Sequence, residues 1–203
     1  LYGHREGELA RQLTRYSRLV KAHEDLFHAN QAPLYLVSAP GRTEIAGNHT
    51  DHNNGRVLAA AVNLDCVACV SPRTDDKVFV QSQGFPAIEL TLADLAPRKD
   101  EEGTSAALVR GVAAGMAERG FKIGGFDAAI TSDVLSGSGL SSSAAYEVLM
   151  CAIFDALYNG FTVNSTLRAQ IAQYAENVYF GKPSGLMDQM ASSTGGLVTI
   201  DFK

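Results

Sequence analysis

The chain reads Pro40-Gly41-Arg42-Thr43-Glu44-Ile45-Ala46-Gly47-Asn48-His49-Thr50-Asp51-His52-Asn53-Asn54-Gly55 between two apolar runs, residues 34–37 and 57–62. Short apolar runs bounded by turn residues are typical of buried strands. A plain hairpin needs only a glycine or asparagine to turn, whereas this segment carries an arginine, two carboxylates, two histidines and several amides. Such groups hydrogen-bond hydroxyls well. The segment is therefore interpreted as a binding site for a small polyhydroxylated molecule, with a long solvated loop as the alternative.

Strands and helices follow one another irregularly along the rest of the 203 residues. The apolar spacing predicts helices over about residues 6–30, 104–119, 144–158 and 165–181, with a short one from Pro183, and strands over about 34–39, 56–62, 63–71, 78–81, 87–90, 126–131 and 197–200. Thr104 and either Asn164 or Ser165 are candidate helix caps. Because the order lacks a regular strand–helix alternation, it favours an α+β fold over a doubly wound sheet.

The composition argues against several classes of protein. The net charge is −5 and no basic patch is visible, which disfavours nucleic acid as a partner. No apolar run approaches the ~20 residues of a membrane span, and the polar N-terminal stretch does not resemble a signal peptide. Three cysteines, Cys66, Cys69 and Cys151, favour a reducing, cytoplasmic location. Cys66 and Cys69 are three apart on a predicted strand and therefore face opposite ways, so they are interpreted as packing residues.

A glycine- and serine-rich run leads directly into an apolar helix. From its first glycine the run contains Gly137, Ser138, Gly139, Leu140, Ser141, Ser142 and Ser143. Glycines allow the backbone to approach a ligand closely, and a helix N-terminus presents free N–H groups to an anion. The run is predicted to bind phosphate, with a flexible linker as the alternative. It is not a Walker A loop, because it lacks the Gly-Lys-Ser/Thr ending.

Two acidic residues lie among apolar neighbours further along the chain. Asp188 follows Leu186 and Met187, and Glu176 lies in a predicted helix. A carboxylate in an apolar segment is rarely buried unless it is paired. On this pattern alone Asp188 fits a helix surface as well as a site, and Glu176 fits a solvated position.

Taken together, three segments resemble the galactokinases, within the superfamily that also holds homoserine, mevalonate and phosphomevalonate kinases. Residues 39–42, Gly47 and residues 49–51 resemble the galactokinase signature, residues 137–144 the superfamily's phosphate loop, and residues 185–189 the galactokinase catalytic segment. The segments fall in the family's order, from about Val37 onward. The resemblance implies a two-layer fold of the ribosomal protein S5 domain 2-like type, a mixed sheet with helices on one side.

The resemblance also implies a function. It implies an ATP-dependent sugar 1-kinase that phosphorylates the anomeric hydroxyl of galactose or a related sugar, or a catalytically silent sugar- and ATP-binding regulator on the same fold; the His-Thr-Asp segment disfavours a kinase for non-sugar alcohols. Asp188 would be the catalytic carboxylate, kept ionised by Arg42 beside it, since phosphoryl transfer is mainly positioning and charge stabilisation. The remaining implied roles are sugar binding by Glu44, Asn48, His49, Asp51 and Gly185, ATP phosphate binding by residues 137–143, and Mg²⁺ binding by Ser143 and Glu176.

Two features depart from the galactokinase pattern. Glu44 stands where these enzymes usually carry Asn, and Asn48 where they usually carry Glu. Positions four apart share a face of a strand or a helix, so we expect the local charge to be kept while its position moves, with an effect on which sugar is bound. Galactokinases also have a second domain, so residues 1–203 are expected to form the N-terminal sugar- and phosphate-binding domain, whose site the absent C-terminal domain would complete.

Overall fold

The computed structural model describes residues 2–3, 7–28, 32–47, 50, 54–135 and 137–203. Over these residues the helices are α1 (Glu8–Phe27), α2 (Ser105–Glu118), α3 (Ser142–Tyr158), α4 (Ser165–Tyr174) and α5 (Met187–Thr194), and the strands are β1 (Tyr35–Ala46), β2 (Arg56–Pro72), β3 (Lys77–Ser82), β4 (Ile88–Thr91), β5 (Phe126–Ser132) and β6 (Leu197–Asp201). A π-helical segment, Ala175–Phe180, continues α4 directly. None of the described helices is both long and apolar enough to cross a bilayer.

Strand β2, with 17 residues, is the centre of the sheet. It pairs antiparallel with β1 along one side, and on the other side with β6 through its first residues and with β5 through its last. β3 lies parallel to β5, and β4 closes that edge antiparallel to β3. The predicted mixed sheet of an α+β fold is thus confirmed. The predicted break of β2 near residue 62 was wrong, since no glycine or proline turns the chain there.

Helices cover both faces of this sheet. Helices α2, α3 and α4 contribute to the main core on one face, where Ala68 and Val70 of β2 pack with Val112 and Phe154. On the other face Leu19 of α1 packs against β2 and β5. The family resemblance implied helices on one side of the sheet. This holds for α2–α5, whereas α1 forms an additional layer on the opposite face. This layer forms because β2 is apolar on both faces between residues 66 and 70.

The two cysteines of β2 lie on opposite faces of the sheet, as their spacing predicted. Cys66 belongs to the core under α2 and α3, and Cys69 belongs to the cluster under α1. Both thiols are free and buried, and burial raises the pKa of Cys66 to about 12 and that of Cys69 to about 11. They pack in the interior and do not share a metal.

Strand β1 extends into the polar segment that follows its apolar run. It continues to Ala46, and its pairing with β2 shifts register between Pro40 and Arg42 and again between Glu44 and Ala46. Such bulges re-aim side chains without ending a strand. The solvated-loop alternative is wrong for residues 40–46, where Arg42 is only 8 % exposed.

Candidate active site

Arg42 and Asp188 form a two-pronged ion pair at the centre of the candidate site. Arg42 donates from Nε to Asp188 Oδ1 at 2.6 Å and from Nη2 to Oδ2 at 2.8 Å. Its remaining Nη1 donates to the carbonyl oxygen of Gly139 at 2.7 Å. A planar guanidinium matches a carboxylate in this way. The side chain of Arg42 is 9 % exposed and that of Asp188 is 31 % exposed, so the carboxylate remains open to solvent while its orientation is fixed.

The packing of α5 explains why Asp188 lies beside Arg42. Met187 and Ala191, one helical turn apart, are buried against Val57 and Ala59 of β2. The adjacent helix face, which carries Asp188 and Ser192, is therefore turned toward β1. Ser192 Oγ donates to the carbonyl of Pro40 at 2.7 Å, which fixes the height of α5 along β1.

The glycine- and serine-rich loop is seated directly on β1. The backbone N–H of Arg42 donates to the carbonyl of Leu140 at 3.1 Å. Gly41 permits this approach, since a Cβ there would lie 2.9 Å from Leu140 O and 3.1 Å from a methyl group of Val134. Ser141 Oγ donates to Asp188 Oδ2 at 2.5 Å. The loop is thus tied to both members of the ion pair.

The same loop presents the N-terminus of α3. Gly137 and Gly139 have φ values of 76° and 77°, a left-handed conformation that glycine adopts without strain. Ser141 precedes α3 in a left-handed conformation and makes no side-chain capping hydrogen bond, because its hydroxyl is used on Asp188. Ser141 therefore does not cap the first N–H groups of this 17-residue helix, which stay available to an anion.

Ser143 and Glu176, the two implied metal ligands, are brought together. Ser143 Oγ in the first turn of α3 donates to Glu176 Oε1 at 3.1 Å. Lys182 Nζ donates to the same oxygen at 2.9 Å, and this hydrogen bond raises the pKa of Lys182. Glu176 lies in the π-helical segment and is buried, so the solvated position suggested by its sequence neighbours was wrong.

Two buried polar residues, Glu147 and Gln189, support Glu176 from the protein interior. Gln189 Nε2 donates to Glu176 Oε2 at 2.8 Å and to Glu147 Oε2 at 3.1 Å. Burial, reinforced by the negative Glu176, raises the pKa of Glu147 well above its ordinary value. Glu147 Oε1 finds no hydrogen-bond partner among the described residues, which a neutral acid tolerates better than a carboxylate. Sequence reasoning missed Glu147, although it is one of only two acidic residues in the apolar helix 144–157, with Asp155, and this was the available signal.

The chemistry of these donors fits a magnesium ion. Two hard oxygen ligands, the Ser143 hydroxyl and the Glu176 carboxylate, lie within 3.1 Å of each other. Among the described residues no three His, Cys, Asp or Glu side chains converge on a metal position. Mg²⁺ commonly takes one or two protein oxygens together with phosphate oxygens and water, so the residues fit an ion that arrives with a nucleotide.

The implied sugar-binding residues are described only in part. Glu44 lies on β1 opposite Ala59, two residues beyond Arg42, with regular pairing between them; the two side chains therefore share a face. Gly185 follows Ser184, whose N–H donates to Asn177 Oδ1 at 2.7 Å. That contact keeps residues 183–186 out of the helix, so the predicted start of α5 at Pro183 was wrong. Asn48, His49 and Asp51 lie outside the described residues.

Two family models match the chain, in the order of its motifs. The galactokinase galactose-binding signature matches residues 21–72, which include β1 and the polar segment. The model described as the GHMP kinases N terminal domain matches residues 105–196, which include the glycine- and serine-rich loop, Glu176 and Asp188.

Curated relatives and a solved structure agree with these models. A galactokinase of Streptomyces coelicolor is 42% identical over 163 residues, which is 79% of this chain and 41% of that protein. A galactokinase of Chloroflexus aurantiacus is 37% identical over 88% of this chain and 45% of its own length. The crystal structure of Lactococcus lactis galactokinase complexed with galactose superposes with a TM-score of 0.85 at 28% identity, covering 93% of this chain and 49% of that one. The chain thus spans less than half the length of these relatives. From the two models, the relatives and the shared fold we conclude that the chain belongs to the galactokinase family of the GHMP kinases.

Proposed function

We propose that the full-length protein transfers the terminal phosphoryl group of ATP to the anomeric hydroxyl of galactose or a related sugar, and that residues 1–203 form its N-terminal sugar- and phosphate-binding domain. The observation that carries this proposal is the fork of Arg42 on Asp188, which Gly139 O and Ser141 Oγ join to the glycine- and serine-rich loop. An oriented carboxylate, a buried cation and an anion-binding helix N-terminus are the parts that phosphoryl transfer needs.

Each part has a proposed task. Asp188 orients the attacking sugar hydroxyl and is placed to take its proton. Arg42 holds Asp188 in place and stabilises the negative charge on the phosphoryl group during its transfer. The first N–H groups of α3 and residues 137–143 bind the phosphates of ATP. Ser143 and Glu176 would hold Mg²⁺, which when bound neutralises charge on the phosphate oxygens.

The sugar is proposed to lie against β1. Glu44 shares a strand face with Arg42, and with Asn48, His49, Asp51 and Gly185 it would contact the sugar hydroxyls. The Lactococcus lactis relative was solved with galactose, which supports a hexose at this position. The exchange of Glu44 and Asn48 is proposed to alter which hydroxyl arrangement is preferred, so E44N/N48E should shift the sugar preference toward galactose. An unchanged preference profile in that variant would refute the role of this exchange.

A second domain is proposed to complete the site. The relatives exceed the matched region by more than half of their own length, and kinase sites commonly close through the approach of two domains. The solvent-exposed third of Asp188 would then be covered only when both substrates are bound.

The test is ADP release by the full-length protein with a panel of hexoses and pentoses, followed by phosphorus NMR of the product. We expect sugar-dependent turnover and a sugar 1-phosphate, with a loss of at least about 10³-fold in D188N. D25N removes an exposed carboxylate of α1 and should leave turnover unchanged. Saturable sugar binding without ADP release would favour the regulator on the same fold, and no response to any sugar would refute both functions.

A further inference from the structure

One oxygen of Glu176 is already occupied by a cation. Oε1 accepts from Lys182 Nζ at 2.9 Å and from Ser143 Oγ at 3.1 Å. The Glu176 side chain is 3 % exposed, whereas that of Lys182 is 60 % exposed. The carboxylate is thus fixed inside the protein, while the ammonium reaches it from the solvent side on a flexible chain.

A buried carboxylate needs a compensating charge. Among the described residues, Lys182 makes the only ion pair with Glu176; Gln189, which holds the other oxygen, is neutral. Residues 137–143, proposed to bind phosphate, end at Ser143, and Ser143 contacts the same Glu176 oxygen as Lys182. The Lys182 ammonium therefore contacts the same oxygen that a metal ion held by Ser143 and Glu176 would use.

We propose that Lys182 is the resident cation of Glu176 in the nucleotide-free protein and competes with Mg²⁺ for this oxygen. The inference rests on the proposed function only in assigning Ser143 and Glu176 to the metal. Two cations on one carboxylate oxygen repel each other, so a divalent ion is held at Glu176 more tightly once Lys182 has left it.

A nucleotide offers the displaced ammonium a new anionic partner. Lysine is a compact charge on a flexible stem that binds phosphate well, and the phosphate loop is adjacent. A metal–nucleotide complex supplies both a replacement cation for Glu176 and an anion for Lys182, whereas a free metal ion supplies only the first. The nucleotide-free protein should consequently bind free Mg²⁺ weakly.

The test is direct metal binding to the full-length, nucleotide-free protein, with Mn²⁺ as the probe and its free-ion EPR signal as the readout. We expect K182M to tighten Mn²⁺ binding about fivefold, the size set by loss of a partly exposed ion pair. K182R retains the charge and should bind Mn²⁺ as weakly as the unmodified protein. K77M makes the same substitution in the exposed pair with Glu89 and should have no effect.

A double variant locates the metal. If the tighter binding occurs at Glu176, E176Q in the K182M background should abolish the gain. The proposal is overturned if K182M binds Mn²⁺ no more tightly than the unmodified protein, if neither binds it, or if the gain survives E176Q. Because Mn²⁺ binding is measured without sugar or turnover, its result can be interpreted even if the kinase assay fails. A negative binding result likewise does not affect the interpretation of the kinase assay.

Discussion

Replacement of Arg42 by lysine tests whether the geometry of the fork, and not its charge alone, supports the site. Lysine keeps the positive charge but has a single nitrogen, so it cannot reach Asp188 through two nitrogens and Gly139 O through a third. We expect at least two charge-assisted hydrogen bonds to be lost, at about 1.5 kcal/mol or more each. Since Asp188 is 31 % exposed, water replaces part of this loss, which leaves a net cost of about 2 kcal/mol.

The assay is thermal unfolding of the nucleotide-free protein. For a domain of this size the cost corresponds to a fall of about 4–8 °C in the midpoint. Arg11 provides a matched control, because it makes the same fork through Nε and Nη2 on Glu8 and a third contact through Nη1 on Asp133, yet its side chain is 49% exposed. R11K should leave the midpoint within error. Equal shifts for R42K and R11K would refute the reasoning, as would an unchanged midpoint in R42K.

Four further substitutions probe the surroundings, each followed by thermal unfolding. G41A should lower the midpoint and weaken ATP binding measured by calorimetry, because its Cβ would meet Leu140 O at 2.9 Å; unchanged ATP affinity would contradict this. Burial lowers the pKa of His23, so the unfolded chain takes up the proton first and stability should fall as pH drops below about 6.5. H23Q should flatten that dependence, and an equally steep profile would count against it. Burial raises the pKa of Glu147 and so favours its uncharged form; E147Q should therefore change the midpoint little, whereas D155N breaks a buried ion pair and should cost about 3 kcal/mol; a larger cost for E147Q than for D155N would contradict this.

The elements of the fold were largely readable from local patterns. Thr104 and Asn164 cap α2 and α4 as predicted, accepting from Ala107 N and Leu167 N. Periodicity could not show that α1 packs behind the sheet, because the apolar face of a helix does not state which surface it meets. The extent of β1 was also hidden, since its residues beyond Pro40 are polar and pair with β2 through two shifts of register.

The candidate site, like the fold, was predictable from the sequence only in part. The motifs brought Arg42, Asp188 and residues 137–143 to notice, but from the residues alone Asp188 could equally have lain on a helix surface. What places it is the burial of Met187 and Ala191 on β2, a long-range contact that no local pattern encodes. Lys182 carried no sequence signal at all, because a lysine beside a glycine reads as ordinary surface.

The π-helical turn at Ala175–Phe180 has a consequence for how this family can change by insertion and deletion. Such turns differ from an α-helix by one extra residue. Loss of a single codon within 175–180 would restore α-helical winding, and because the turn would no longer be widened by its extra residue, Glu176 would be presented at a different angle to Ser143 and Lys182. Loops between the elements can vary in length, but this turn should tolerate substitution far better than any change in its number of residues.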